Sequence, residues 1–122
     1  MVDRATVETW IAKYERLWRT PGTEHLGELF TRDASYSMAP FEAPYEGLSA
    51  ISELWERERV SADEPFAMEA DVIAVDGDRS VARVEVHYHA TGSHFRDIWI
   101  MRFDEQGRCS AFEEWPFAPG TE

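Results

Sequence analysis

Two carboxyl groups late in the chain stand where the surrounding residues would otherwise read as apolar core. Asp97 lies in "FRDIWIMRF" (95–103), and the adjacent pair Glu113 and Glu114 lies in "AFEEWPF" (111–117). A carboxyl group taken out of water prefers its neutral form, so its pKa climbs and it can give or take a proton near pH 7. Tyrosine hydroxyls beside such a group can polarise a carbonyl or hold an enolate oxygen, and Tyr14 and Tyr88 are available for this. Asp97, Glu114 and Tyr14 are therefore the candidate catalytic groups. The chemistry they suit is proton transfer on a small apolar ketone, ester or polyketide-like substrate, with no cofactor.

Strand alternation decides which side chains can meet. In the segment from Val81 to His89, Val84, Val86 and Tyr88 share one face, and Arg83, Glu85, His87 and His89 share the other. In the next segment Asp97, Trp99, Met101 and Phe103 form the more aromatic face, opposite Arg96, Ile98, Ile100 and Arg102. In the last, Phe112, Glu114 and Pro116 alternate with Glu113, Trp115 and Phe117, and the pattern alone permits either face to be the inner one. We take Glu114 as the pocket residue and Glu113 as a solvated outer charge; in the reverse assignment Glu113 lines the pocket with Trp115.

The elements that must hold these groups follow from periodicity. Val7, Trp10, Ile11, Tyr14, Leu17 and Trp18 recur at helical spacing, with Asp3 or Thr6 as cap and "TPG" (20–22) as terminator. A second short helix is expected around Leu26, Leu29 and Phe30 with Thr23 as its cap, then a short strand carrying Tyr36 and Met38. After the loop "PFEAPYEG" a third helix carries Ile51, Leu54 and Trp55, with Glu53 and Arg57 as a surface pair. Strands are expected at 66–75, 80–90, 95–103 and 109–117, with turns at "VDGDR", "ATGSH" and "DEQGR". Helices first and a meander afterwards define an α+β domain over 1–122. Trp10, Trp18, Tyr36, Met38 and Trp55 on the first half, with Val86, Tyr88, Trp99, Met101 and Phe112 on the strands, are the residues expected to enclose a substrate.

Composition narrows the partners. With 43% hydrophobic and 13% aromatic residues the chain folds, and its net charge of −12 argues against nucleic acid and anionic membrane surfaces. No apolar run is long enough to span a bilayer and the start lacks a secretory apolar stretch, so a cytoplasmic location is expected. The single cysteine, Cys109, excludes an internal disulfide and reads as a buried apolar side chain. His87 and His89 lie two apart on the expected outer face without a third ligand, so no metal is expected; His25 and His94 read as solvated, and Glu69 and Asp71 as an exposed acidic edge.

"LFTRDASYSM", "YEGLSAISELW" and "DIWIMRFDEQGRCSAFEEW", with the aromatic first helix, resemble the nuclear transport factor 2-like superfamily, in particular its SnoaL-like branch. The resemblance implies a cone-shaped, cystatin-like domain: a curved antiparallel sheet wrapped around three N-terminal helices, with a deep pocket between them and a homodimer formed through the outer sheet face. It covers nearly the whole chain but does not fix a reaction, because the superfamily holds isomerases, cyclases, hydrolases, dehydratases and non-catalytic binding modules. Against ketosteroid isomerase, Tyr14 matches the oxyanion tyrosine, whereas Met38 stands at the position of the base and Trp99 at that of the acid. Steroid isomerisation is therefore not expected. The Asp-Arg-Asp set of limonene epoxide hydrolase finds no residue-by-residue match, and "TGSH" (91–94) is loosely similar to the Gly-Thr-His stretch of SnoaL-type polyketide cyclases. The reading is a cofactor-independent acid–base enzyme on a small apolar molecule; the alternative is a ligand-binding or dimerising module of the same fold.

Overall fold

The computed structural model describes residues 1–59 and 64–121. Helix α1 spans Arg4–Trp18, and the Asp3 carboxylate accepts the Thr6 amide at 2.8 Å, supplying a partner for one of the helix's free N–H groups. Its inward stripe is Val7, Trp10, Ile11 and Tyr14, as the spacing predicts. The second expected helix is only a three-residue 3-10 turn, Leu26–Glu28, and Phe30 already belongs to a strand. So few residues cannot offset the cost of starting an α-helix, and Thr23, rather than capping, joins its hydroxyl to that of Ser52 at 2.5 Å. Among the described residues there are thus two α-helices, not three.

Strand β1 covers Phe30–Ser37, β2 is the two-residue Tyr45–Glu46, and α2 runs Leu48–Glu58. Gly47 opens α2 at φ 88°, a left-handed conformation that favours glycine, and donates its amide to Ala34 O at 2.8 Å. Arg57 turns to the Tyr45 hydroxyl at 2.9 Å instead of pairing with Glu53. Strands β3 (Phe66–Asp76), β4 (Arg79–Tyr88), β5 (His94–Phe103) and β6 (Cys109–Phe117) follow the expected boundaries closely.

The sheet order is β2-β1-β6-β5-β4-β3. Neighbours pair antiparallel except β1 and β6, which run parallel, so the sheet is mixed rather than wholly antiparallel. Hairpin turns impose antiparallel pairing on β3 to β6; no turn links β1 to β6, whose direction is set by packing across the chain. Three register shifts bend the sheet: between Phe30 and Ser35, between Val72 and Ala74, and between Arg102 and Phe103. The second leaves Ile73 outside the ladder and 48% exposed.

The concave face closes on an aromatic core centred on Trp10. Its ring meets Phe30, Trp99 and Phe103 edge-on at centroid distances of 5.7, 6.4 and 5.6 Å, and its Nε1 donates to Leu29 O at 2.9 Å. Cys109 is buried beside this cluster, where desolvation pushes its thiol up to about 12, so it packs and does not react. No described helix is long and apolar enough to cross a membrane.

Arg59, just past α2, ties the two helices together. Its guanidinium, 6% exposed, donates to the carbonyls of Leu17, Trp18, Thr20 and Gly22 at 2.8–3.3 Å and to Glu56 at 3.0 Å. These carbonyls lie at the end of α1 and just beyond it, where helical partners run out. Arg59→Met should remove a donor from each, although Leu17 O keeps the Thr20 amide at 3.1 Å, and cost about 2–4 kcal/mol, read as a lower midpoint in urea unfolding. Arg59→Lys should recover only part of this, because a single ammonium cannot reach the same fan of acceptors.

Candidate active site

Pairing of β5 with β6 brings the two candidate carboxyls together. Trp99 stands opposite Glu114 and Asp97 opposite Pro116, so Asp97 and Glu114 are diagonal neighbours on the inner face, within reach of each other's side chains. Two buried carboxyls this close repel when both are ionised, so the pair favours keeping a proton. Asp97 is 3% exposed; its Oδ2 accepts the Trp99 indole N–H at 3.3 Å, while its buried Oδ1 meets no N–H or hydroxyl donor among the described residues. A proton on Glu114, the diagonal neighbour, would offer this oxygen a donor.

Burial, then the charge of Asp97 and the bond to it, push the Glu114 carboxyl up to about 8. Burial also raises Asp97, but the hydrogen bonds from Glu114 and Trp99 favour its ionised form. The pair therefore holds one proton at neutral pH, chiefly on Glu114.

A relay of hydroxyls extends from the pair. Tyr36 donates to Glu114 Oε1 at 3.1 Å, and the Tyr14 and Tyr36 hydroxyls lie 2.8 Å apart. Since Tyr36 has one proton and gives it to Glu114, Tyr14 must donate to Tyr36. The order is Tyr14 to Tyr36 to Glu114 to Asp97, crossing α1, β1, β6 and β5. Desolvation raises both tyrosines well above their ordinary range, so both stay protonated.

Beside this relay lies a cavity of about 400 Å³. Tyr14, Asp97 and Glu114 line it, together with Trp18, Met38, Val86, Tyr88 and Trp99 from the expected set. Trp10, Tyr36, Trp55, Met101 and Phe112 do not; they are buried in the packed core next to it. They share the inward face with the true wall residues, but they sit deeper in the cone, where the helices close on the sheet. Tyr36 nevertheless reaches the site through its hydroxyl. Glu113 lies off the cavity wall, between Ser37 and Ile100 in the sheet.

Sequence reasoning missed several wall residues. Phe95 precedes Asp97 by two and so shares its face, and Met68 sits opposite Val86; both were within reach of the alternation argument. Arg59 and Glu58 were not, since charges at a helix end ordinarily read as solvated. Phe66 and Pro116 add apolar surface and Glu64, Thr91 and Ser93 add polar groups, and a cavity of this size suits one small molecule.

No curated protein matches the sequence. Among solved structures, the chain superposes on the epoxide hydrolase/cyclase-like enzyme SalBIII, which acts in pyran ring formation in the polyether salinomycin, with TM-score 0.74 and 14% identity over 96% of this chain and 95% of that one. A protein from Sinorhizobium meliloti assigned as a polyketide cyclase gives 0.68 and 21% over 89% and 97%, and a steroid delta-isomerase from Pseudomonas aeruginosa gives 0.68 and 21% over 97% and 84%. At these identities the likeness is one of fold. The SnoaL-like domain model matches residues 11–112, and with the α+β architecture above this places the chain in the SnoaL-like family of the nuclear transport factor 2-like superfamily.

Proposed function

We propose that the chain is a cofactor-independent enzyme that transfers protons to and from a small apolar substrate bearing an epoxide or carbonyl oxygen. One observation carries the reading: Glu114 opens on an apolar cavity while keeping its proton to about pH 8. A neutral carboxylic acid in a dry site is a strong hydrogen-bond donor, and a group titrating near the working pH suits general acid–base catalysis.

In this reading the substrate oxygen competes with Asp97 Oδ1 for the Glu114 proton. Once that proton has moved to the substrate oxygen, two carboxylates face each other, which makes Glu114 a strong base. It then takes a proton back from the neighbouring carbon or from the attacking hydroxyl, and the pair regains its single proton. Asp97 sets the proton affinity of Glu114, and the Tyr36 hydroxyl moderates it by stabilising the ionised carboxylate. This sequence serves an isomerisation, a cyclisation or a hydrolysis alike; Trp18, Tyr88, Trp99 and Met38 would orient the apolar body of the substrate.

Screening small epoxides, ketones and lactones by mass spectrometry should find one class that is turned over. On that class Glu114→Gln should lose roughly 10²–10⁴-fold in kcat; a variant as active as the wild type would refute the assignment. For the wild type, kcat/KM should fall as pH rises through about 8, the Glu114 midpoint. Asp97→Asn should move that limb to lower pH by removing the charge that raises Glu114, and Tyr36→Phe should move it higher.

The same proton governs stability. The folded protein holds the Glu114 proton to about pH 8, whereas an unfolded glutamate loses it near 4.5. Between those values the native state binds more protons, so its stability is fullest at the acid end and falls as pH rises, by up to about 1.4 kcal/mol per pH unit from this group. Glu114→Gln should flatten that slope and be the more stable protein at pH 9, as measured by urea unfolding at a series of pH values.

A further inference from the structure

The outer face of the sheet carries a second cluster of side chains suited to chemistry. His87 on β4 and His94 on β5 are directly paired across the ladder, and Glu85 lies two residues before His87 on the same face. The two imidazole rings stack with centroids 3.8 Å apart and planes 23° from parallel. One oxygen of Glu85, Oε1, lies 2.7 Å from His94 Nε2 and 3.7 Å from His87 Nε2. All three potential ligand atoms fall within 4.8 Å of one another.

From this geometry we propose a binding site for a divalent transition-metal ion of the zinc kind, held by His87, His94 and Glu85. Two imidazole nitrogens and a carboxylate oxygen are the donor set such ions prefer, whereas magnesium and calcium require mostly oxygen. With metal–ligand bonds of about 2.0–2.2 Å, ligand atoms around a tetrahedral ion stand roughly 3.3–3.5 Å apart. The two distances to Glu85 Oε1 bracket that value, and the stacked rings would turn toward each other about their side-chain torsions so that both lone pairs meet the ion. Three protein ligands leave the fourth position to solvent or to a small anion.

The sequence hid this site because spacing along one strand pointed to His89 as the partner of His87. His89 lies beyond the end of β4, and the true partner comes from across the hairpin. His94 itself, expected to be solvated, is held against Glu85 in a strand.

The surroundings bear on charge. Arg96 approaches the same Glu85 oxygen at 3.3 Å and would have to yield it; its side chain is 69% exposed and free to swing away. Glu69 on β3 stands opposite Glu85 and adds negative charge, while the next pair outward, Asp71 and Arg83, is joined at 3.4 Å.

The test is calorimetric titration of EDTA-stripped, buffer-exchanged full chain with zinc chloride, beside magnesium chloride. The wild type should take up one zinc per chain and no magnesium. His87→Gln, His94→Gln and Glu85→Gln should each weaken zinc binding by about tenfold or more, comparable to or exceeding what supporting residues around metal sites cost. His89→Gln and His25→Gln should bind as the wild type does. Cobalt chloride gives an independent readout, visible absorption bands that the wild type develops and His94→Gln does not. The proposal is overturned if the wild type shows no saturable uptake, if the three ligand variants bind like the wild type, or if His89→Gln loses as much as His94→Gln. Should one ligand variant fail to fold by circular dichroism, the other two carry the same expectation.

Discussion

Two carboxyl groups placed diagonally on adjacent strands and turned away from bulk water can coexist only with a proton between them. The pairing of β5 with β6 puts Asp97 and Glu114 in that relation, and the interior is organised to keep it. Trp99 donates to one end of the pair and Tyr36 to the other, and Tyr14 stands behind Tyr36. Each donor comes from a different element, so the relay forms only when α1 is seated across the sheet with β1 against β6. Tertiary structure and protonation state thereby specify each other: a misplaced helix would strip the relay, and a second ionised carboxylate would push against the packing that holds it.

Curvature supplies the room. A flat sheet under α1 would place the inner faces of β3 to β6 at one distance from the helix, leaving either a complete core or a complete gap. The register shifts bend the strands so that one end of the cone packs tightly around Trp10, Phe30 and Phe112, while the other opens between Trp18, Tyr88 and Met68. Arg59 stands at the border of these regimes. It lines the cavity and at the same time gathers the last carbonyls of α1, holding in place the helix end that forms one wall. A charged group at an apolar cavity's edge is tolerable because its donors are consumed by carbonyl oxygens that would otherwise be empty.

What was legible in the residues follows from the range over which each signal acts. The faces of β4 and β5 were legible because alternation is local: Val84 and Val86, Asp97 and Trp99 declare their sides two residues at a time, whereas on β6 both alternating sets carry a glutamate and an aromatic ring and the side was fixed only by pairing with β5. The cavity set was only half legible. Alternation reports which side a residue faces but not its depth in the cone, so Met101 and Phe112 could not be told from Trp99 and Glu114. The parallel pairing of β1 with β6 and the link from Tyr36 to Glu114 join residues 76 to 79 apart, and no local pattern encodes them. The second helix failed for a different reason: Leu26, Leu29 and Phe30 have helical spacing, but the last of them is the first residue of a strand.

A site that holds a shared proton is a poor way to build a core. Burying an ionisable pair generally stabilises less than apolar side chains of the same volume would, and removing one member of such a pair leaves the other uncompensated. Asp97, Glu114 and two tyrosines set in a connected chain beside a cavity are therefore better suited to use than to stability. Similar folds reach related shapes with other residues, as the low identities to the three superposed proteins require, so the proposed activity rests on these side chains and not on the fold that carries them.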